Sequence, residues 1–322
     1  MEIGGYFELE LPKRTEYHND NVIRLNTGRN AFEYILRAKG YKKIYLPYYT
    51  CDSMLEPINK LTLEYEFYHI DESFKPIFDF SSIQLQEVFV YTNYFGVCDK
   101  QVSTVAKLCK NLIIDNSQAF FEMPLPGVDT FYSARKFFGV PDGAYLYTDK
   151  INELELEQDE SFNRFRHLLG RIDVSAEAFY WNFKENDGSL SGQAIKRMSK
   201  LTQRMLQGVD YNSIAENRIT NFRLLHKELE QFNKLKLNPK PDAVPLVYPF
   251  LCDSGLDLKD HLIANRIFTA SYWPNVFSWT KKSDLEYVFA ENVVNLPIDQ
   301  RYNRNEMNRI IEKVRAYKHV KS

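Results

Sequence analysis

The chain has 322 residues, 44% hydrophobic and 26% charged, with a formal net charge of −2 at pH 7. This is globular composition, long enough for one large or two moderate domains, and folding at this length buries roughly three quarters of the surface. The dispersed basic residues exclude the positive surface that a nucleic-acid backbone requires, and no apolar run approaches the ~18 residues of a bilayer span.

Residues 3–11 alternate loosely and read as a short extended arm. Asn26 or Thr27 is placed to cap a helix over 30–39, with Phe32, Ile35 and Leu36 on one face and Gly40 at its end. A brief strand is expected over 43–47, a helix over 50–59 despite Pro57, and strands over 63–70 and 87–91. A helix over 102–108 leads to the buried strand 112–115, and a further strand spans 143–147. From 151 to about 208 the chain reads as helical and charged, broken by the polar stretch 184–192. One long amphipathic helix is expected over 210–234, and Asn238-Pro239-Lys240-Pro241 reads as a break. Strands over 244–252 and 292–297 and helices over 256–264 and 304–317 make a smaller α/β unit. The expected division is a large domain over 1–209, then a connecting helix and small domain over 210–322. Strands alternating with helices imply a mostly parallel sheet, with ligands at the carboxyl ends of its strands.

Cys51, Cys98, Cys109 and Cys252 show no C-x-x-C spacing. Reduced, mostly buried thiols are expected, and the cytoplasm is the expected location, since the first residues lack the regions of a secretory leader. Six scattered histidines without partner spacing read as structural or surface residues rather than metal ligands.

Two short segments carry the chemistry. Asp115-Asn116-Ser117-Gln118 ends an apolar strand, and Ser133-Ala134-Arg135-Lys136 opens into Phe137-Phe138-Gly139. In isolation an Asp at a strand end is a cap, a lysine is a solvated charge and a Gln is a polar loop residue. Together they are what pyridoxal phosphate (PLP) needs: a partner for the ring nitrogen, a phosphate ligand and an amine that condenses with an aldehyde. Lys136 lies between Phe131-Tyr132 and Phe137-Phe138, and apolar surroundings lower a lysine pKa. Gln118 is placed to reach the ring's 3-oxygen. Thr27-Gly28-Arg29-Asn30 at a helix start offers free amides to phosphate, and Ser133 or Thr130 adds a hydroxyl. Ser133-x-x-Lys136 also has the spacing of the serine β-lactamase motif, but the accompanying Ser-Asp-Asn and Lys-Thr-Gly motifs are absent.

These residues resemble the DegT/DnrJ/StrS group of PLP-dependent sugar aminotransferases, of aminotransferase fold type I. The resemblance covers nearly the whole chain. Thr27-Gly28-Arg29-Asn30-Ala31 resembles the family's Ser-Gly-Thr turn, Leu46-Pro47-Tyr48-Tyr49-Thr50-Cys51 its Val-Pro-x-Phe-Thr-Phe segment, and Asn93-Tyr94-Phe95-Gly96 its His-x-Tyr-Gly loop. Asp115-x-x-Gln118 matches the Asp-x-x-Gln/His pair, Lys136 with Asp142-Gly143 resembles the Lys…Gly-Asp-Gly-Gly loop, and Asn295-Leu296-Pro297 resembles the Leu-Pro strand before the last helix.

The resemblance implies an α/β fold with a large, mostly parallel mixed sheet between helices and a smaller C-terminal α/β domain. It implies that Lys136 binds the cofactor covalently, Asp115 pairs with the pyridine nitrogen, Gln118 lies by the ring oxygen, and Gly28 and Arg29 contact phosphate. The hydroxyl is Ser133 or Thr130 according to the alignment, with Ser133 preferred. Arg29 stands where the family has threonine, and Cys51 where it has the ring-stacking aromatic, so Tyr49 or Tyr94 is the candidate to stack. The implied reaction moves an amino group from an amino acid such as glutamate to a keto sugar, nucleotide-linked in the family's manner, in a homodimer. A PLP-binding scaffold, another PLP reaction on a sugar, and a cofactor-free α/β binding domain are the alternatives.

Overall fold

Val88-Phe89-Val90-Tyr91 and Leu112-Ile113-Ile114 are short apolar runs, as expected of strands buried on both faces. They lie centrally in an eight-stranded sheet of the computed structural model, which describes residues 3–150 and 155–321. Its strands are β1 (Ile23–Leu25), β2 (Lys43–Pro47), β3 (Glu64–Ile70), β4 (Pro76–Ile77), β5 (Glu87–Thr92), β6 (Leu112–Asp115), β7 (Asp129–Ser133) and β8 (Ala144–Tyr147). The order is β1-β8-β7-β6-β5-β2-β3-β4. Strands β3, β2, β5, β6 and β7 are parallel; β4, β8 and β1 join antiparallel to their neighbours.

Helices α1 (Gly28–Lys39), α2 (Leu55–Lys60) and α3 (Asp99–Leu108) connect these strands. Thr27 caps α1 by accepting from Asn30 N, and Gly40 ends it at φ +66°. A 3-10 turn over Asp52–Met54 precedes α2, so Pro57 falls in a first turn, where its missing N–H is no loss. Next come α4 (Arg166–Asp173), α5 (Tyr180–Ser189), α6 (Lys200–Gln207) and α7 (Tyr211–Leu229). The expected break over 184–192 is largely corrected: α5 runs through to Ser189, and Asn186 inside it donates to Pro141 O at 3.0 Å. Residues 155–160 carry no helix, and 151–154 lie outside the described residues.

After α7 the chain forms β9 (Tyr248–Leu251), α8 (Gly255–Ala264), α9 (Val276–Trp279), α10 (Leu285–Asn292), β10 (Val293–Leu296) and α11 (Arg304–Lys321). Strands β9 and β10 pair antiparallel as a second sheet.

Alternation along the strands divides the core between the two faces of the large sheet. Val88, Val90, Ile113 and Phe131 pack with Phe32, Ile35 and Leu36 of α1. Phe89, Tyr91, Ile114 and Tyr132 join a larger cluster with Leu225, Phe250, Leu296 and Val314 of the C-terminal elements. Among the described residues no helix is long and apolar enough to cross a membrane.

Beyond the arm, His18 is buried. His18 Nε2 lies 2.8 Å from Phe120 O and Nδ1 lies 3.1 Å from Tyr147 Oη. A carbonyl only accepts, so Nε2 carries the proton and Nδ1 receives the tyrosine hydroxyl. Burial pushes the imidazole down to about 4 from its ordinary 6.5. His18 therefore stabilises the fold fully above pH 6.5, and that contribution is lost as pH falls toward 4, by about 3 kcal/mol at ~1.4 kcal/mol per unit. The stability advantage of the native protein over His18→Phe should shrink steadily between pH 7 and 4.5 in thermal denaturation; a constant difference would remove this role.

Candidate active site

The carboxyl end of β7 meets the start of α1, where Phe131 and Ser133 lie against Gly28, and β6 pairs beside β7. Asp115 ends β6 with its side chain buried, and Oδ1 accepts from Ser117 N at 2.8 Å. Ser117 Oγ accepts from Lys136 Nζ at 3.0 Å. Lys136 and Asp115 are thus brought together, each bonded to Ser117.

Lys136 ends a 3-10 turn over Ala134–Lys136, directly after β7. The turn is anchored by Ala134 N to Gly143 O at 3.0 Å, and by Gly143 N to Asn26 O at 2.6 Å. Gly143 adopts φ +101°, and a Cβ there would meet Thr202 Cγ2 at 2.9 Å, so glycine is required. Asp142 points away, fully buried between Arg164 at 2.7 Å and Thr202 at 2.5 Å. The residue Lys136 as a whole is half-buried. Burial lowers its amine below the usual lysine value, against the opposing pull of Asp115 and Cys51. Arg135 beside it lowers the amine further, while Asp187 of α5, which accepts from Arg135 at 2.5 Å, raises it.

The two candidate hydroxyls are separated in space. A Cβ on Gly28 would sit 3.8 Å from Ser133 Cβ, so Ser133 stands against the start of α1. Thr130 begins three residues earlier, about 10 Å back along β7. Its side chain falls on the opposite face, and its hydroxyl donates to Val128 O at 3.1 Å. Thr130 is therefore corrected as a candidate. The Arg29 side chain turns to Glu56 at 2.5 Å. Glu56 also accepts from Ser191 Oγ and Gly192 N, each at 2.8 Å. The Gly28 and Arg29 amides remain in the first turn, where a helix leaves N–H groups without intrahelical partners.

Gln118 is fully buried. Its Oε1 accepts from Phe95 N at 2.8 Å, and its Nε2 has no partner. Thr92, which sequence reasoning passed over, pairs in register with Asp115, and its buried hydroxyl is also unpartnered. Its one signal is its place as the last residue of an apolar strand. Phe95 (φ +56°) and Gly96 (φ +73°) form the loop over Gln118, and a Cβ on Gly96 would lie 3.0 Å from Gln118 O. Tyr49 is enclosed by Tyr94, Trp273 and Phe289, with ring centroids 4.6 to 5.7 Å apart. Tyr94 stacks on both Tyr49 and Phe74. These aromatics are committed to the core, and Trp273 with them.

No family model and no curated protein sequence matches this chain. Solved structures do. A DegT DnrJ EryC1 StrS aminotransferase from Brucella abortus superposes with a TM-score of 0.61 at 15% identity, over 92% of this chain and 85% of that one. The sugar aminotransferase CalS13 from Micromonospora echinospora gives 0.63 at 14%, over 92% and 87%. NtdA from Bacillus subtilis, with bound cofactor PMP, gives 0.64 at 14%, over 92% and 73%. At such identities the likeness is one of fold, and the fold is that of the PLP-dependent aminotransferases of type I.

Proposed function

We propose that this chain is a PLP-dependent aminotransferase of the DegT/DnrJ/StrS group, moving an amino group from an amino acid, glutamate by preference, to a nucleotide-linked keto sugar. The observation that carries this reading is the juxtaposition of Lys136 and Asp115, both bonded to Ser117 at the carboxyl end of β6. The unpartnered Gln118 Nε2 and Thr92 Oγ1 at the same strand ends suit a polar ligand that the protein alone does not satisfy. The residues therefore fit PLP: Lys136 for its aldehyde, Asp115 for its ring nitrogen, Gln118 for its ring oxygen, and the Gly28 and Arg29 amides with Ser133 for its phosphate.

When bound, the cofactor supplies a ring that takes up the electron pair released at the substrate carbon. The chain's own residues do the rest. The lowered pKa of Lys136 raises the fraction of Nζ free to accept a proton from that carbon, and the same atom returns the proton on the far side of the transfer. The Asp115 carboxylate would pair with the ring nitrogen, and the Ser117 amide fixes the carboxylate's direction.

The reading includes a homodimer. Ile172, Val174 and Trp181 are 66 to 82% exposed on and between α4 and α5, an apolar face suited to a second copy. Helix α5 also carries Asp187, bonded to the neighbour of Lys136, so a copy seated there would border the site. The test is to load the protein with PLP, record its visible absorbance and its mass in solution, and add glutamate. Loss of the visible band with release of the matching keto acid from a dimer is expected. A stable band unaltered by every amino acid offered would favour a binding protein instead.

A further inference from the structure

Among the described residues, Arg218 of α7 is the largest fully buried side chain by volume. Its Nε donates to Gln300 Oε1 at 3.0 Å, and Nη1 donates to Pro245 O at 3.2 Å and Leu246 O at 3.0 Å. None of these partners is a carboxylate; nearby Asp299 is bonded to Arg301 at 2.6 and 2.8 Å. Burying a guanidinium without a bonded anion is costly, and burial pulls its pKa down to about 10. The arrangement makes sense if those bonds hold something in place.

What they hold is Phe137, the residue after Lys136. The guanidinium carbon lies 4.7 Å from the Phe137 ring centroid, and Gln300 Nε2 donates to Phe137 O at 2.8 Å. Leu246 N also donates to Phe95 O at 2.8 Å, and Phe95 N to Gln118. The C-terminal elements therefore grip the lysine turn at a ring and a carbonyl, and the Gln118 loop at a second point.

We propose that Arg218 and Gln300 are positioning residues, which hold Lys136 in place by clamping Phe137. Its consequence for catalysis rests on the function proposed above; the clamp itself does not. The groups that face Lys136 are Asp115 at the end of β6 and Ser117 after it, Cys51 after β2, the adjacent Arg135, and Asp187 of α5. None comes from the C-terminal elements, so a neutral change at Gln300 alters the amine by displacement rather than by charge.

The experiment is competitive acetylation of cofactor-free protein by acetic anhydride from pH 7 to 11, with Lys136 followed by peptide mass spectrometry. Gln300→Met removes both of that residue's bonds at nearly equal volume. It should let water reach the amine and raise its labelling midpoint by about one unit, slowing labelling about tenfold at pH 8. Asn221→Ala is the matched control: Asn221 bonds Ile298 O and Tyr302 O of the same segment but not Phe137. It should lower the Tm and leave the midpoint in place. An unchanged midpoint in Gln300→Met, or an equal shift in both variants, overturns the clamp. A shift confined to Gln300→Met in a protein that never takes up PLP keeps the clamp and removes the aminotransferase reading.

Discussion

Lys136→Ala is expected to remove the visible band of the PLP-loaded protein and to lower amino-group transfer by about 10⁴-fold or more. Proton transfer by a positioned side chain alone is worth roughly 10²–10⁴-fold, and this residue also carries the proposed covalent attachment. The loss should come without loss of fold. Burial disfavours the charged amine, so the folded protein gives up stability at any pH below the ordinary lysine pKa to keep it there. Removing it should leave the Tm equal or higher at pH 7. Single-turnover kinetics beside thermal denaturation read both effects. A variant that loses activity and Tm together would point to a structural lysine, and one that retains the band would place the attachment elsewhere.

Asp115→Asn carries the second large effect. The amide keeps an oxygen that can accept from Ser117 N, so the loop geometry survives. What disappears is the charge. Removing one preorganised electrostatic partner from such a site costs about 10²–10³ in rate. PLP should stay bound while kcat falls by that factor. The same carboxylate holds the Lys136 amine up against burial, so its loss should move the acid limb of the pH–rate profile to lower pH. A rate within a few fold of the native enzyme, with the acid limb unmoved, would take Asp115 out of its assigned role.

Both predictions rest on residues that could be picked out before any coordinates. The strands over 43–47 and 112–115 coincide with β2 and β6, because an unbroken apolar run bounded by polar residues leaves few other conformations in a buried sheet. Strand β7 escaped notice because Thr130, Tyr132 and Ser133 read as polar, although all three are buried. Three-residue β1 is held by pairing with β8, some 120 residues on in the chain, and no local pattern announces that. Pro57 is late in a helix that starts at 50 but sits in the first turn of one that starts at Leu55. The polar run 184–192 looked like a break because its stabilising bond, from Asn186 to Pro141, is tertiary.

For the site, local sequence determined the kinds of group present and the strand ends that carry them: an acid closing β6, a lysine in the turn after β7, a capped helix start at Thr27. Those follow from periodicity, capping and turn chemistry within a few residues. Tertiary structure decided where each side chain points. Ser133 meets the start of α1 while Thr130 faces the other way, Arg29 is drawn off by Glu56 from 27 positions along, and Tyr49 is taken into the core by Trp273 and Phe289. The reason is physical: backbone conformation is set largely by neighbours in sequence, whereas a buried side chain's direction is set by partners that only the folded chain brings within a few ångströms.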